Sequence, residues 1–188
     1  PTQEPQAGGG QLTVMEDVAS ALTYRLASAG STNVTLARIK FHAASESINL
    51  NQLVLKLSNK NSISPADFIG NSVRLYKSDG VTQVGTAVFL GYSATSTITG
   101  FQIPQDGDVV MIVKGDLSNI GLAQPGTEGH LISVDYDGDD SSGTQGVGLN
   151  SGLTIHSSSY TSTQVAGVRI FKSVPTVADV TTNTTLAS

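Results

Sequence analysis

In run after run of this chain, apolar residues recur at every second position. Ala37, Ile39, Phe41 and Ala43 share one parity, and Arg38, Lys40 and His42 take the other. Successive side chains of a strand point to opposite faces, so this pattern predicts strands with one face buried. Ile48 and Leu50 continue it. Leu53, Leu55 and Leu57 repeat it with the parity shifted, which predicts a bulge near Asn51-Gln52, because one extra residue moves the apolar set from even to odd positions. Val73 and Leu75 lead into Ser78-Asp79-Gly80, a hairpin signal with Asp-Gly at its tip, and Val84 to Leu90 return. Thr97 to Ile103 is a further strand, stopped by Pro104, and Asp106-Gly107 turns the chain into Val109, Met111 and Val113. His130, Ile132, Val134 and Tyr136 share a face of another strand, and Ala166, Val168 and Ile170 begin the last long one. The residues expected in the core are Ile39, Phe41, Leu55, Leu75, Val113, Ile132 and Ile170.

Helix signals are few. Asp17 to Leu26 has a helix-like spacing at Val18, Ala21, Leu22 and Arg25, diluted by Ser and Thr. Ser64-Pro65-Ala66-Asp67 can make a single turn, with Ser64 as cap and Pro65 at the first helical position. Many short strands with turn signals roughly every 8 to 12 residues point to an all-β, antiparallel Ig-like β-sandwich with extended N- and C-terminal arms. The expected division is a linker or arm over 1–10, where two prolines and three consecutive glycines show no periodicity, the sandwich over 11–174, and an extended strand over 175–188.

Composition narrows the function. Only 13% of residues are charged, against about 25% in an average soluble domain. Ser and Thr together number 43, and such charge-poor, hydroxyl-rich sequence is common on extracellular β-proteins. Fifteen acids against ten bases argue against a nucleic-acid partner, which would call for a basic stripe. No apolar run reaches the roughly 20 residues of a membrane-spanning helix. The absence of Cys removes disulfide staples, thiolate metal sites and cysteine catalysis.

One cluster suggests a cation site. Asp135, Asp137, Asp139 and Asp140 crowd the segment SVDYDGDDSSG, and alternate carboxylates on a Gly-containing loop suit a hard cation such as calcium. The first three stand at positions 1, 3 and 5 of an EF-type loop. The sixth position is Asp140 instead of Gly and the twelfth is Gly146 instead of Glu, so it is no EF-hand. The plain alternative is a solvated acidic turn. His42, His130 and His156 lack ligand partners at i+2 or i+4 and read as separate surface histidines. GYSAT at 91–95 lacks the second glycine of a nucleophile elbow, and GVGLNSG at 146–152 lacks the lysine of a phosphate loop. Five Tyr, five Phe and no Trp offer little for a sugar-stacking cleft. No enzyme is expected.

Several segments in order carry a resemblance: NVTLARIKFHAASESINLNQLVLKLS, VRLYKSDGVTQVGTAVFL, FQIPQDGDVVMIVKGDLSNIG and VRIFKSVPTVADV. They resemble a β-sandwich repeat found in tandem in large bacterial surface and S-layer-like proteins of the candidate-phyla type. The resemblance covers roughly residues 11 to 180. It implies architecture and a cell-surface location, with the "y+k.vPtv" exit leading into a following repeat. Here Val174-Pro175 ends one strand-like run and a Val- and Thr-rich run follows, so the tail is expected to seek a β-edge outside its own domain.

The expected function is therefore an extracellular structural subunit that polymerises with copies of itself into a filament, pilus-like fibre or S-layer. The apolar residues expected to serve assembly are Leu12 and Val14 in the N-terminal arm, or Val177, Val180 and Leu186 in the tail. The alternative is an adhesin or carbohydrate-binding module that meets surface glycans.

Overall fold

The computed structural model describes residues 9–58 and 62–175. These form strands β1 (Gln11–Glu16), β2 (Arg25–Ser28), β3 (Val34–Ala44), β4 (Ile48–Leu57), β5 (Phe68–Tyr76), β6 (Gln83–Val88) and β7 (Ser93–Ile103). They continue with β8 (Gly107–Leu117), β9 (Leu131–Ile132), β10 (Val134–Tyr136), β11 (Gln145–Gly148), β12 (Thr154–His156) and β13 (Val168–Phe171). One sheet runs in the order β1-β3-β8-β5-β6. In the second, β4 carries β7 along one edge and both β10 and β11 along the other, with β12 beyond β11. A small third sheet is ordered β2-β13-β9. The fold is all-β, with antiparallel sheets packed together as in a β-sandwich.

The alternation seen in sequence becomes the core. Ile39, Phe41, Leu55, Leu75, Val113, Ile132 and Ile170 are all fully buried. Each such side chain contributes about 1.5–3 kcal/mol over its exposed state. Phe41 meets Phe101 edge to face at 5.4 Å, joining the inner faces of the two large sheets, and Phe68 stacks on Phe89 at 5.9 Å. The expected bulge is present in β4 on its β11 side: Leu50 faces Gly146 and Gln52 faces Gln145, leaving Asn51 as the extra residue. That extra residue lets Ile48 and Leu50, then Leu53, Leu55 and Leu57, all point inward. Ser64, Pro65 and Asp67 form the expected capped turn, with a reciprocal capping box between Ser64 and Asp67. At the Ser78-Asp79-Gly80 turn, Gly80 takes φ +68° and the Asp79 carboxylate accepts from the N–H groups of Val81 and Thr82 and from the Thr82 hydroxyl.

Four expectations are corrected. Asp17 to Leu26 is a three-residue 3-10 turn at Val18–Ser20 followed by strand β2. The strand expected through His130, Ile132, Val134 and Tyr136 breaks at Ser133, because β9 pairs with β13 while β10 pairs with β4. The last strand begins at Val168, since Gly167 turns the chain at φ +82° and Ala166 is exposed. Finally, β13 runs parallel to β2, from Val168 opposite Arg25 to Phe171 opposite Ser28. No hairpin ties strands so far apart in the chain, so nothing forces them to be antiparallel.

The chain covers the outer edges of its own sandwich. Beside β1, Leu12 forms a parallel bridge with Ser157, Ser158 N–H donates to the Leu12 carbonyl (2.9 Å), and Val14 N–H donates to Ser159 Oγ (2.7 Å). At the opposite side β6 closes on β7: Ser96 Oγ donates to the Thr86 carbonyl (2.9 Å), and a Cβ on Gly85 would lie 2.9 Å from the Thr97 carbonyl oxygen. By contrast, β2 pairs with β13 on one side and has no strand partner on the other among the described residues.

Candidate functional site

The acidic segment does not become a cation cage. Asp135 lies on β10 in register with Lys56 and is buried; its Oδ1 accepts from Thr163 Oγ1 and from Val165 N–H, both at 2.9 Å. Burial pushes its carboxyl above the usual range, against the opposing hydrogen bonds of Ser58, Val165 and Thr163 and the charge of Lys56. Asp137 and Asp139 both turn to the Lys56 ammonium, at 3.4 and 2.6 Å. Burial alone would lower the Lys56 pKa, but the two carboxylates outweigh it and the net direction is upward. Asp140 caps the turn Ser141–Gly143 through the Gly143 N–H. The positive charge among these acids is thus a lysine from β4. Among the described residues, no group of three or more His, Asp or Glu side chains is placed to hold a metal ion. The calcium expectation is corrected accordingly: the spacing is right along the chain, but the four carboxylates serve other partners.

Above this segment opens a cleft of about 610 Å³. It is lined by Lys56, Asp137 and Asp139, by Leu90 and Tyr92 of the β6–β7 turn, and by Ser162 to Gln164. The segment 157–159 that covers β1 is pinned from beneath, where the Tyr136 hydroxyl contacts Ser157 Oγ (2.8 Å) and donates to the Ser159 carbonyl (2.7 Å).

The assembly residues divide in two. Leu12 and Val14 belong to β1, opposite Ala43 and Phe41, and both are buried in the domain's own core. The expectation that they serve an arm is corrected: their apolar side is already used. Val177, Val180 and Leu186 lie outside the described residues. Gly9 and Gly10, expected in a linker, lie against the domain. The Gly10 N–H donates to Glu46 Oε1 (2.9 Å), and a Cβ on Gly10 would come within 2.7 Å of Glu46 Cγ.

Glu46 gathers more hydrogen bonds than any acid singled out in sequence. It accepts from Gly10 N–H, Asn150 N–H, Ser151 N–H and Ser151 Oγ. The Ser151 hydroxyl first, then the backbone donors, hold its carboxyl down at about 2. His130, expected at the surface, has its Nδ1 2.7 Å from Oδ2 of the fully buried Asp67, which also accepts from Ser64 N–H and Thr127 N–H. Asp116, near the end of β8, pairs with Arg74 at 2.6 Å and accepts from Asn33 N–H.

The residue that sequence reasoning passed over is Arg25. It opens β2 opposite Val168, and since Val168 is buried, Arg25 lies on the inward side of the small sheet. Its Nη2 is buried and has no hydrogen-bond partner among the described residues. Burial lowers its pKa. The available signal was a lone Arg set between Tyr24 and Leu26 in a short apolar run. In comparisons with known proteins, no family model, no curated protein and no solved structure matches this chain.

Proposed function

We propose that this chain is a structural, non-catalytic extracellular protein, one subunit of a self-assembling surface polymer whose subunits are joined by β-strand contacts. The observation that supports this most is the difference between edges. The edge of β1 is bonded to Ser157 to Ser159 and β6 packs against β7, whereas β2 is left with an unpaired side among the described residues, where Tyr24 and Leu26 are about half exposed. An unpaired strand edge is a template for another chain. The Val- and Thr-rich residues 176–188 have the composition of a strand that could fill such an edge. A head-to-tail contact of this kind does not close on itself and builds a fibre or lattice. The resemblance to tandem surface repeats, with an Ig-like sandwich and extended arms, is part of the same proposal. Negative-stain microscopy and sedimentation velocity over a concentration series test it. Filaments or sheets that vanish on deletion of residues 176–188, with the domain still folded, support it. A full-length chain that stays monomeric at high concentration overturns it.

A second reading is favoured by the cleft of about 610 Å³. An aromatic residue, Tyr92, lines it together with Asp137, Lys56 and Gln164, which is the combination of apolar face and hydrogen-bonding groups that a sugar ring requires. Under this reading the module binds surface glycans. A glycan array in which binding appears and is lost with Tyr92→Ala supports it, and an array blank for the intact chain removes it.

A further inference from the structure

We propose that the outer edge of β2 is the acceptor for residues 176–188 of a second copy of this chain, and that Arg25 receives the carboxylate of that copy's Asp179. This rests on the strand-contact function above and adds to it the acceptor and the register.

The acceptor follows from the edges. The outer side of β1 is taken by Ser157 to Ser159, and β6 packs against β7 with the Ser96 Oγ hydrogen bond to the Thr86 carbonyl between them. In the third sheet β13 is central and β9 is held on its far side, where Leu131 N–H donates to the Ser62 carbonyl. By contrast, β2 meets no strand on its outer side among the described residues, and two large side chains stand on its outward face: Leu26 is exposed, and Tyr24 is steadied by Arg169 Nε, which donates to its hydroxyl at 2.8 Å.

The register follows from Arg25. An inward-pointing charge on an edge strand is a known device against unwanted pairing. Such a charge is normally satisfied, yet here Nη2 is buried without an acceptor among the described residues. A guanidinium with an unsatisfied, desolvated Nη2 disfavours a strand that brings only apolar groups and favours one that brings a carboxylate at the right place. Residues 176–188 contain one acidic side chain, Asp179. In an extended segment Val177, Asp179 and Thr181 share one side and Ala178 and Val180 the other. With Asp179 turned inward to Arg25, Ala178 and Val180 cover Leu26.

In the same chain Val174 N–H is held by Ser28 Oγ, at the far end of β2 from Arg25, and β13 runs parallel to β2. For its own Asp179 to face Arg25 that chain would have to reverse direction within the few residues after Pro175, which a second copy's segment need not do.

Charge exchange tests the pairing in the full-length chain. Arg25→Glu and Asp179→Arg should each raise the concentration needed for assembly by at least about tenfold, and the double variant should recover most of it. Single variants that assemble like the parent, or a folded double variant that fails to recover, overturn the proposal. Because Arg25→Glu can fail to fold, a second arm leaves Arg25 intact. The chain has no Cys, so Leu26→Cys and Val180→Cys introduced together supply the only thiols. Under mild oxidation they should link successive copies into a covalent ladder on a denaturing gel, and a gel showing monomer alone overturns the proposal. If deletion of 176–188 abolishes assembly while both arms fail, the polymer function stands and this acceptor is wrong. If that deletion leaves assembly unchanged, the strand-contact function itself fails.

Discussion

Leu12 and Ser157 face each other across a parallel bridge, and this contact seals the edge of β1 with a segment from the far end of the chain. The Tyr136 hydroxyl holds the segment down through Ser157 Oγ and the Ser159 carbonyl. An edge closed in this way is no longer free to pair with another chain.

The seal should depend on that hydroxyl. Tyr136→Phe keeps the ring in the core but leaves the Ser159 carbonyl without its donor. It should cost about 1–2 kcal/mol in urea unfolding. An unchanged midpoint would mean that the bonds to Leu12 and Val14 hold the segment without the hydroxyl.

The other closure can be probed by volume. Gly85→Val would place side-chain atoms against the Thr97 carbonyl and Ser96 Oγ, which already lie 2.9 Å from an ideal Cβ. Forcing β6 and β7 apart should cost about 1–3 kcal/mol, read from the thermal midpoint. A midpoint equal to the parent's would show that the two strands separate freely.

Acid should loosen the Gly10–Glu46–Ser151 junction. The Glu46 carboxyl is held at about 2 in the fold, below its unfolded value near about 4.3. A depressed carboxyl stabilises the fold fully above the unfolded pKa, and that contribution is lost as pH falls from there through about 2. Melting temperatures measured from pH 6 to pH 2 should therefore fall less steeply for Glu46→Gln than for the parent. Parallel curves would contradict the assignment.

Chelation should do little. Lys56 supplies the charge among Asp137 and Asp139, and Asp135 is engaged by Thr163 and Val165. EDTA and added calcium should leave the melting temperature unchanged. A rise with calcium that disappears in Asp137→Ala would restore the cation site that the spacing suggested.

The core was legible because it is local. Alternation along β3 and the parity shift at Asn51 depend only on neighbouring residues, as does the Ser64 cap, and all three are present. What the sequence did not show depends on partners far along the chain. Asp135, Asp137 and Asp139 have calcium-like spacing, but Lys56 arrives from β4, some eighty residues earlier. The split at Ser133 reflects two different neighbours, β13 and β4, on either side of one residue. Leu12 and Val14 looked available because nothing local announces that β3 and Ser157 to Ser159 enclose them. Arg25 counted only toward a helix-like spacing, and its inward side follows from pairing with β13, more than a hundred residues away.

The central claim is that β2 is completed by another subunit, and amide hydrogen exchange over residues 25–28 tests it most directly. Protection of these amides should rise as protein concentration is increased into the assembling range, and should stay at its dilute value in a chain lacking residues 176–188. Protection that is the same at every concentration, in a sample that visibly polymerises, would contradict it.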